Sequence, residues 1–287
     1  MIAKLFQFSL LLVAVCLLTT CKNQNTDASS ATTSIPAGEG AYVPEGYELV
    51  WNDEFDGGPL PDTTRWTYQT GGFGWTAKEL QNYLHADPDN VGVEDGLLRI
   101  TAIAEKSGRN NYTSTRLVSK GKASFTRGYF EVRAKFPRGA GLRSSFWMVG
   151  DTVSKMGWPK AGEIDLVEYY GAVPDKVNAA VQTTNNYWSK KNQFGGGVTV
   201  PDAQTEFHVY SCTWTEEQID FAVDGQTYWS YLPGPDPTIE IFPFRWPFYM
   251  AATLAVGGIR GPESAGDNTA LPASMYLDYV RVYQKPE

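Results

Sequence analysis

From Gly46 to the C-terminus the chain carries segments in which apolar and polar residues alternate one by one, and no long stretch with the three-to-four spacing of an amphipathic helix. In Arg127–Phe136, the side chains of Phe130, Val132, Ala134 and Phe136 interleave with Tyr129, Glu131, Arg133 and Lys135. Successive side chains of a strand point to opposite faces, so this pattern predicts a strand with one face buried. Ile219, Phe221 and Val223 repeat it, and Asp224-Gly225 then supplies a tight turn, as Asp95-Gly96 does ahead of a predicted strand over Leu97–Ala104. Met275–Gln284 is β-branched and aromatic-rich without a breaker. Many strands with Gly- and Pro-rich connections predict an all-β domain built as a two-sheet sandwich or jelly roll, and 287 residues fit one such domain.

The N-terminus obeys different rules. Lys4 precedes an apolar run, Leu5–Leu18, too short to span a bilayer comfortably, which reads as an export signal over residues 1–20. Leu18-Thr19-Thr20-Cys21 resembles a bacterial lipobox, in which Cys21 becomes the lipidated first residue; an ordinary cleaved signal is the alternative. The first reading anchors the protein to the cell envelope through Cys21 alone, and the second secretes it. Residues 21–45 are Ser, Thr, Ala, Gly and Pro with little to bury, the composition of a flexible tether, so the folded domain is expected over 46–287.

The formal net charge of −8, without a run of four Lys or Arg, excludes the footprint that nucleic-acid binding requires. The three cysteines, Cys16, Cys21 and Cys212, have no zinc-ligand spacing. His85 and His208 are the only histidines. Chemistry in this chain therefore falls to carboxylates, and nothing in it demands more than a monomer.

Glu163-Ile164-Asp165-Leu166-Val167-Glu168 places three acids in six residues of an otherwise apolar stretch, between Trp158 and the pair Tyr169-Tyr170. On a regular strand Glu163 and Asp165 share a face, but Glu168 points away. One extra residue, a β-bulge among Asp165, Leu166 and Val167, restores the phase and brings the acids together. Crowded carboxylates repel, so at least one is expected to hold its proton near neutral pH. A protonated acid beside an ionised one is what glycosidic cleavage with retention requires, at a carboxyl separation of roughly 5–5.5 Å.

Gly162–Gly171 (GEIDLVEYYG) resembles the catalytic signature of glycoside hydrolase family 16 in its bulged, laminarinase-like form. Trp51–Gly57, Lys78–Tyr83, Val93–Ala102, Arg127–Gly141, Phe146–Asp151, Phe207–Trp214 and Leu277–Gln284 agree with that branch in order. The resemblance implies a β-jelly roll with a cleft across its concave sheet and retaining endo-hydrolysis of a β-glycan, with no cofactor in the chemistry. It makes Glu163 the nucleophile, Glu168 the general acid/base and Asp165 the residue that holds and tunes the nucleophile. Trp158 would stack on the sugar beside the scissile bond, and Trp75 would line the cleft. A structural calcium on the convex face would take oxygens from Glu54, Gly96 and Asp278, partly through backbone carbonyls.

Four positions depart from the family pattern. Arg143 stands where a cleft tryptophan is common, Gln182 where a histidine usually follows the signature, Thr253 for an asparagine, and Arg260 for another tryptophan. Arg143, Gln182 and Arg260 are therefore expected at the substrate. There, guanidinium groups would favour exposed hydroxyls, axial substituents or negative charge. The leading expectation is a β-1,3- or mixed-linkage β-1,3/1,4-glucan substrate. An endo-β-galactosidase acting on agar-, porphyran- or mucin-type galactans is the alternative, and a non-catalytic carbohydrate-binding protein the second.

Overall fold

The computed structural model describes residues 41–75, 77–258 and 270–286. The signal over 1–20, Cys21, the tether as far as residue 40, and Arg260 lie outside the described residues. In chain order the strands are β1 (Glu48–Asp53), β2 (Thr67–Tyr68), β3 (Gln81–Tyr83), β4 (Val91–Glu94), β5 (Leu97–Ala102), β6 (Tyr112–Ser114), β7 (Arg116–Val118), β8 (Gly128–Lys135) and β9 (Leu142–Gly150). They continue with β10 (Glu163–Tyr170), β11 (Lys176–Gln182), β12 (Phe194–Thr199), β13 (His208–Trp214), β14 (Ile219–Val223), β15 (Gln226–Tyr231), β16 (Phe248–Val256) and β17 (Ala273–Gln284). Helix among the described residues amounts to one turn at Val153–Met156 and a 3-10 turn at Trp188–Lys190.

Two large antiparallel sheets make the jelly-roll sandwich that the alternation predicted. The back sheet runs β15-β14-β13-β8-β17-β5-β4, and the twelve-residue β17 also pairs with β1. The cleft sheet runs β12-β11-β10-β9-β16-β7-β2. Both predicted tight turns are hairpins with positive φ at each central residue, 53° and 76° at Asp95-Gly96 and 47° and 74° at Asp224-Gly225. That backbone matches the right-handed twist of the strands it joins.

The core lies between the sheets. Phe130 and Val132 of β8, Trp214 of β13 and Phe221 of β14 face Phe146 and Met148 of β9, Ile164 and Leu166 of β10, and Met250 and Leu254 of β16. Each such side chain contributes about 1.5–3 kcal/mol on burial. The rings of Phe136 and Tyr169 stack at 5.3 Å between centroids. Strand β12 carries Gly195, Gly196 and Gly197 in a row, and the middle one has a packing reason: a Cβ there would run into the ring of Trp229 in the back sheet.

One expectation needs correction. Tyr129 and Glu131 of β8, expected on an exposed face, are buried. Tyr283 donates to Glu131 at 3.4 Å and Arg281 lies 3.7 Å from it. Burial raises the pKa of Glu131, against the opposing pull of Arg281. Tyr42 packs against the turn at Gly225, where a Cβ would stand 2.5 Å from its ring.

Candidate active site

The expected bulge is present in β10. Against β9, Asp165 pairs with Trp147 and Val167 with Phe146, leaving Leu166 as the extra residue; against β11, Asp165 pairs with Ala180 and Glu168 with Asn178. Its cause lies in the core: Leu166 and Val167, adjacent in sequence, are both buried in the same apolar cluster. Two consecutive side chains on one face shift the alternation by one, so Glu168 emerges on the face of Glu163 and Asp165. All three acids line one cleft.

Each acid is held from a different element. Trp158, on the connection between β9 and β10, donates its indole N–H to Glu163 Oε2 at 2.9 Å. Gln182, at the end of β11, donates to Asp165 Oδ2 at 2.8 Å. Arg143 of β9 reaches Glu168 Oε1 at 3.4 Å, and the Tyr170 hydroxyl lies 3.5 Å from the same oxygen. Asp165 and Glu168 are buried, while Glu163 is half-buried.

Trp75, Trp147, Trp158 and Trp188 supply the apolar walls of the cleft. The guanidinium of Arg116 lies between two of these rings, 4.4 Å from the Trp75 centroid and 4.7 Å from that of Trp147, and Gln69 anchors it at 2.8 Å. Flat rings with polar groups between them suit a sugar, which shows apolar C–H faces and hydroxyl edges. Thr253 lines the same wall and accepts from the Trp147 indole at 3.4 Å.

Trp158 and Trp75 both line the cleft. Gln182 does not. It is fully buried, and its amide is engaged at both ends, the oxygen accepting the Trp188 backbone N–H at 3.0 Å. It supports Asp165 and the turn carrying Trp188, and does not line the cleft. Arg143 does line the cleft, but as the partner of two buried carboxylates, Glu79 and Glu168. Glu79, Arg116, Trp147 and Trp188 are among the cleft residues that the sequence alone did not point to. Glu79 and Trp147 lie inside family-like segments, whereas Arg116 and Trp188 give no local signal.

Two of the expected calcium ligands have arginine partners. Glu54 makes a two-point ion pair with Arg281, both bonds at 2.8 Å, and Asp278 is paired with Arg133. Gly96 sits in the β4–β5 turn. Among the described residues no group of three Asp, Glu, His or Cys side chains is arranged to hold a metal ion.

A two-sheet jelly roll with a bulged pair of glutamates in an aromatic cleft defines a glycoside hydrolase scaffold, and the sequence agrees. It matches the family "Glycosyl hydrolases family 16" over residues 78–281, and the chain belongs to that family. It is 43% identical to the "Beta-glucanase" of Rhodothermus marinus, over 83% of this chain and 85% of that protein. The X-ray structure of the laminarinase from Rhodothermus marinus superposes with a TM-score of 0.81 at 42% identity, covering 84% of this chain and 98% of the other. A more distant relative is the "Keratan-sulfate endo-1,4-beta-galactosidase" of Sphingobacterium multivorum, 32% identical over 84% of this chain and 56% of that protein.

Proposed function

We propose that this chain is a retaining endo-β-glucanase that cuts β-1,3-glucan or mixed-linkage β-1,3/1,4-glucan. The observation that carries the reading is the bulge at Leu166, which turns Glu163, Asp165 and Glu168 into one cleft. Glu163 attacks the anomeric carbon while Glu168 gives its proton to the departing oxygen. Glu168 then takes a proton from water as that water displaces Glu163, so two inversions give net retention. Trp158 and Asp165 hold the nucleophile's surroundings, and the tryptophan walls hold the glucan chain across the cleft.

The relatives favour a glucan, and so does the placement of two of the departures. Arg143 and Gln182, both expected at the substrate, are engaged with protein carboxylates. Purified protein incubated with laminarin, mixed-linkage β-glucan, agarose, porphyran and mucin O-glycans should release oligosaccharides from the glucans. Release from a galactan alone would replace this substrate assignment with the galactosidase one. Glu163→Ala should abolish hydrolysis. Glu168→Ala should be rescued by azide, which takes the glycosyl group from Glu163 and yields the β-glycosyl azide; full activity in either variant refutes the nucleophile and acid/base roles of these glutamates.

A further inference from the structure

Among the described residues, Arg143 is the one cation within hydrogen-bonding reach of both a cleft glutamate proposed for chemistry and a second buried glutamate outside the signature. It lies on β9 opposite Tyr170, while Ser145 lies opposite Glu168, so Arg143 and Glu168 are diagonal neighbours on the cleft face. The Arg143 side chain is 14% exposed, and those of Glu79 and Glu168 are 4% each. One arm reaches Glu168 Oε1 at 3.4 Å and the other Glu79 Oε1 at 2.5 Å. Glu79 is itself anchored. Its second oxygen accepts from Gln81 at 2.8 Å and from the Tyr83 hydroxyl at 3.1 Å. Gln81 in turn accepts the Val256 N–H of β16 at 2.7 Å. The guanidinium is thus tied through Glu79 to the framework of the cleft sheet, with Glu168 at its other end.

We propose that Arg143 is a positioning residue that holds the Glu168 carboxyl in place for proton delivery, and that Glu79 limits how strongly it does so. The proposal rests on the reading of Glu168 as the acid/base. Burial works against the charge on Arg143, but Glu79 and then Glu168 outweigh it and raise its pKa, so the guanidinium stays charged wherever the protein is folded. A fixed cation beside a carboxyl favours the ionised form, and a nearby anion opposes that. Glu168 also faces Glu163, Asp165 and Tyr170 on its own strand. Arg116 of β7 and Tyr249 of β16 stand across the same cleft, and Lys176 of β11 lines the adjoining groove. None of these changes in the variants below, so opposite shifts on removing Arg143 and Glu79 report on this pair.

The test is the pH profile of kcat and kcat/KM on a glucan oligosaccharide. In Arg143→Gln the alkaline limb should move up, with kcat reduced because the carboxyl is no longer held. In Glu79→Gln the limb should move down, as the unopposed guanidinium turns to Glu168. The double variant removes one charge of each sign and should return the limb close to its starting position. Arg143→Lys should keep the limb while kcat stays low, since an ammonium cannot bridge both carboxylates as a planar fork does. Limbs that do not move, or that move in the same direction in both single variants, overturn the proposal, as does a change confined to KM. Should Arg143→Gln fail to fold, Glu79→Gln and Arg143→Lys decide the matter. Absence of azide rescue in Glu168→Ala would remove the acid/base reading itself. Unmoved limbs with rescue intact would remove only the positioning role.

Discussion

Gln182→Leu separates support of the site from contact with substrate. The amide is fully buried and joins two features that have no other direct link in sequence: Asp165 in the bulged strand, at 2.8 Å, and the backbone N–H of Trp188, at 3.0 Å. Leucine has nearly the same size, so no large cavity opens. The loss is therefore electrostatic. A hydrogen bond to a charged group contributes about 1.5–3 kcal/mol, and the backbone N–H left without this acceptor adds roughly 1 kcal/mol. The extra apolar burial of the leucine side chain offsets on the order of 1 kcal/mol. The expected net destabilisation is about 1.5–3 kcal/mol, read as a lower urea midpoint with an unchanged m-value by tryptophan fluorescence. Activity should fall beyond what stability explains, because the turn at Trp188–Lys190 loses a tie that holds a cleft wall. A loss under about 0.5 kcal/mol, within the range of ordinary surface substitutions, would refute the claim that the amide supports the site.

Two further outcomes follow from charges on the back sheet and beside it. His208 lies between Asp224, 2.7 Å from Nδ1, and Asp202, 3.0 Å from Nε2; burial works against its charge, but the two carboxylates raise its pKa overall. The stability it adds is fully present below the unfolded pKa of about 6.5 and is lost as pH rises through the higher folded value. Tm should therefore fall across that window, and His208→Gln should flatten the fall; an unchanged slope would show that the pair contributes nothing. Because Arg281 and Arg133 occupy the carboxylates of Glu54 and Asp278, a chelator should leave Tm unchanged. A drop of several degrees on chelation, reversed by calcium, would mean that backbone carbonyls bind the ion and that the arginine pairs give way.

Much of the site was legible in the residues around it. Glu163, Asp165 and Glu168 are close in sequence, and the mismatch between their spacing and a period of two already required a bulge. The structure adds its cause, since Leu166 and Val167 both enter the core. Other contacts were not legible in the residues around them. Position in the family pattern puts Arg143 and Gln182 at the sugar because they stand where ring side chains are usual. Their actual partners, Glu79 and Asp165, lie 64 and 17 residues away. Glu79 is silent by itself, as an acid between a lysine and a leucine gives no sign that it will be buried under an arginine.

What this chain's sequence determined by itself is whatever the backbone decides over a few residues. Alternation set the core-facing side chains of β8 and β14, Asp-Gly pairs set two hairpins, and an acid spacing out of phase set the bulge. Only the tertiary structure decided which groups meet. Strands β9 and β16 are neighbours although roughly a hundred residues separate them, and the loop carrying Glu79 is laid beside both. Whether an arginine in the cleft faces a sugar or a buried carboxylate depends on that assembly, because the strength and partner of a charge are set by what surrounds it in space and by how much water remains there.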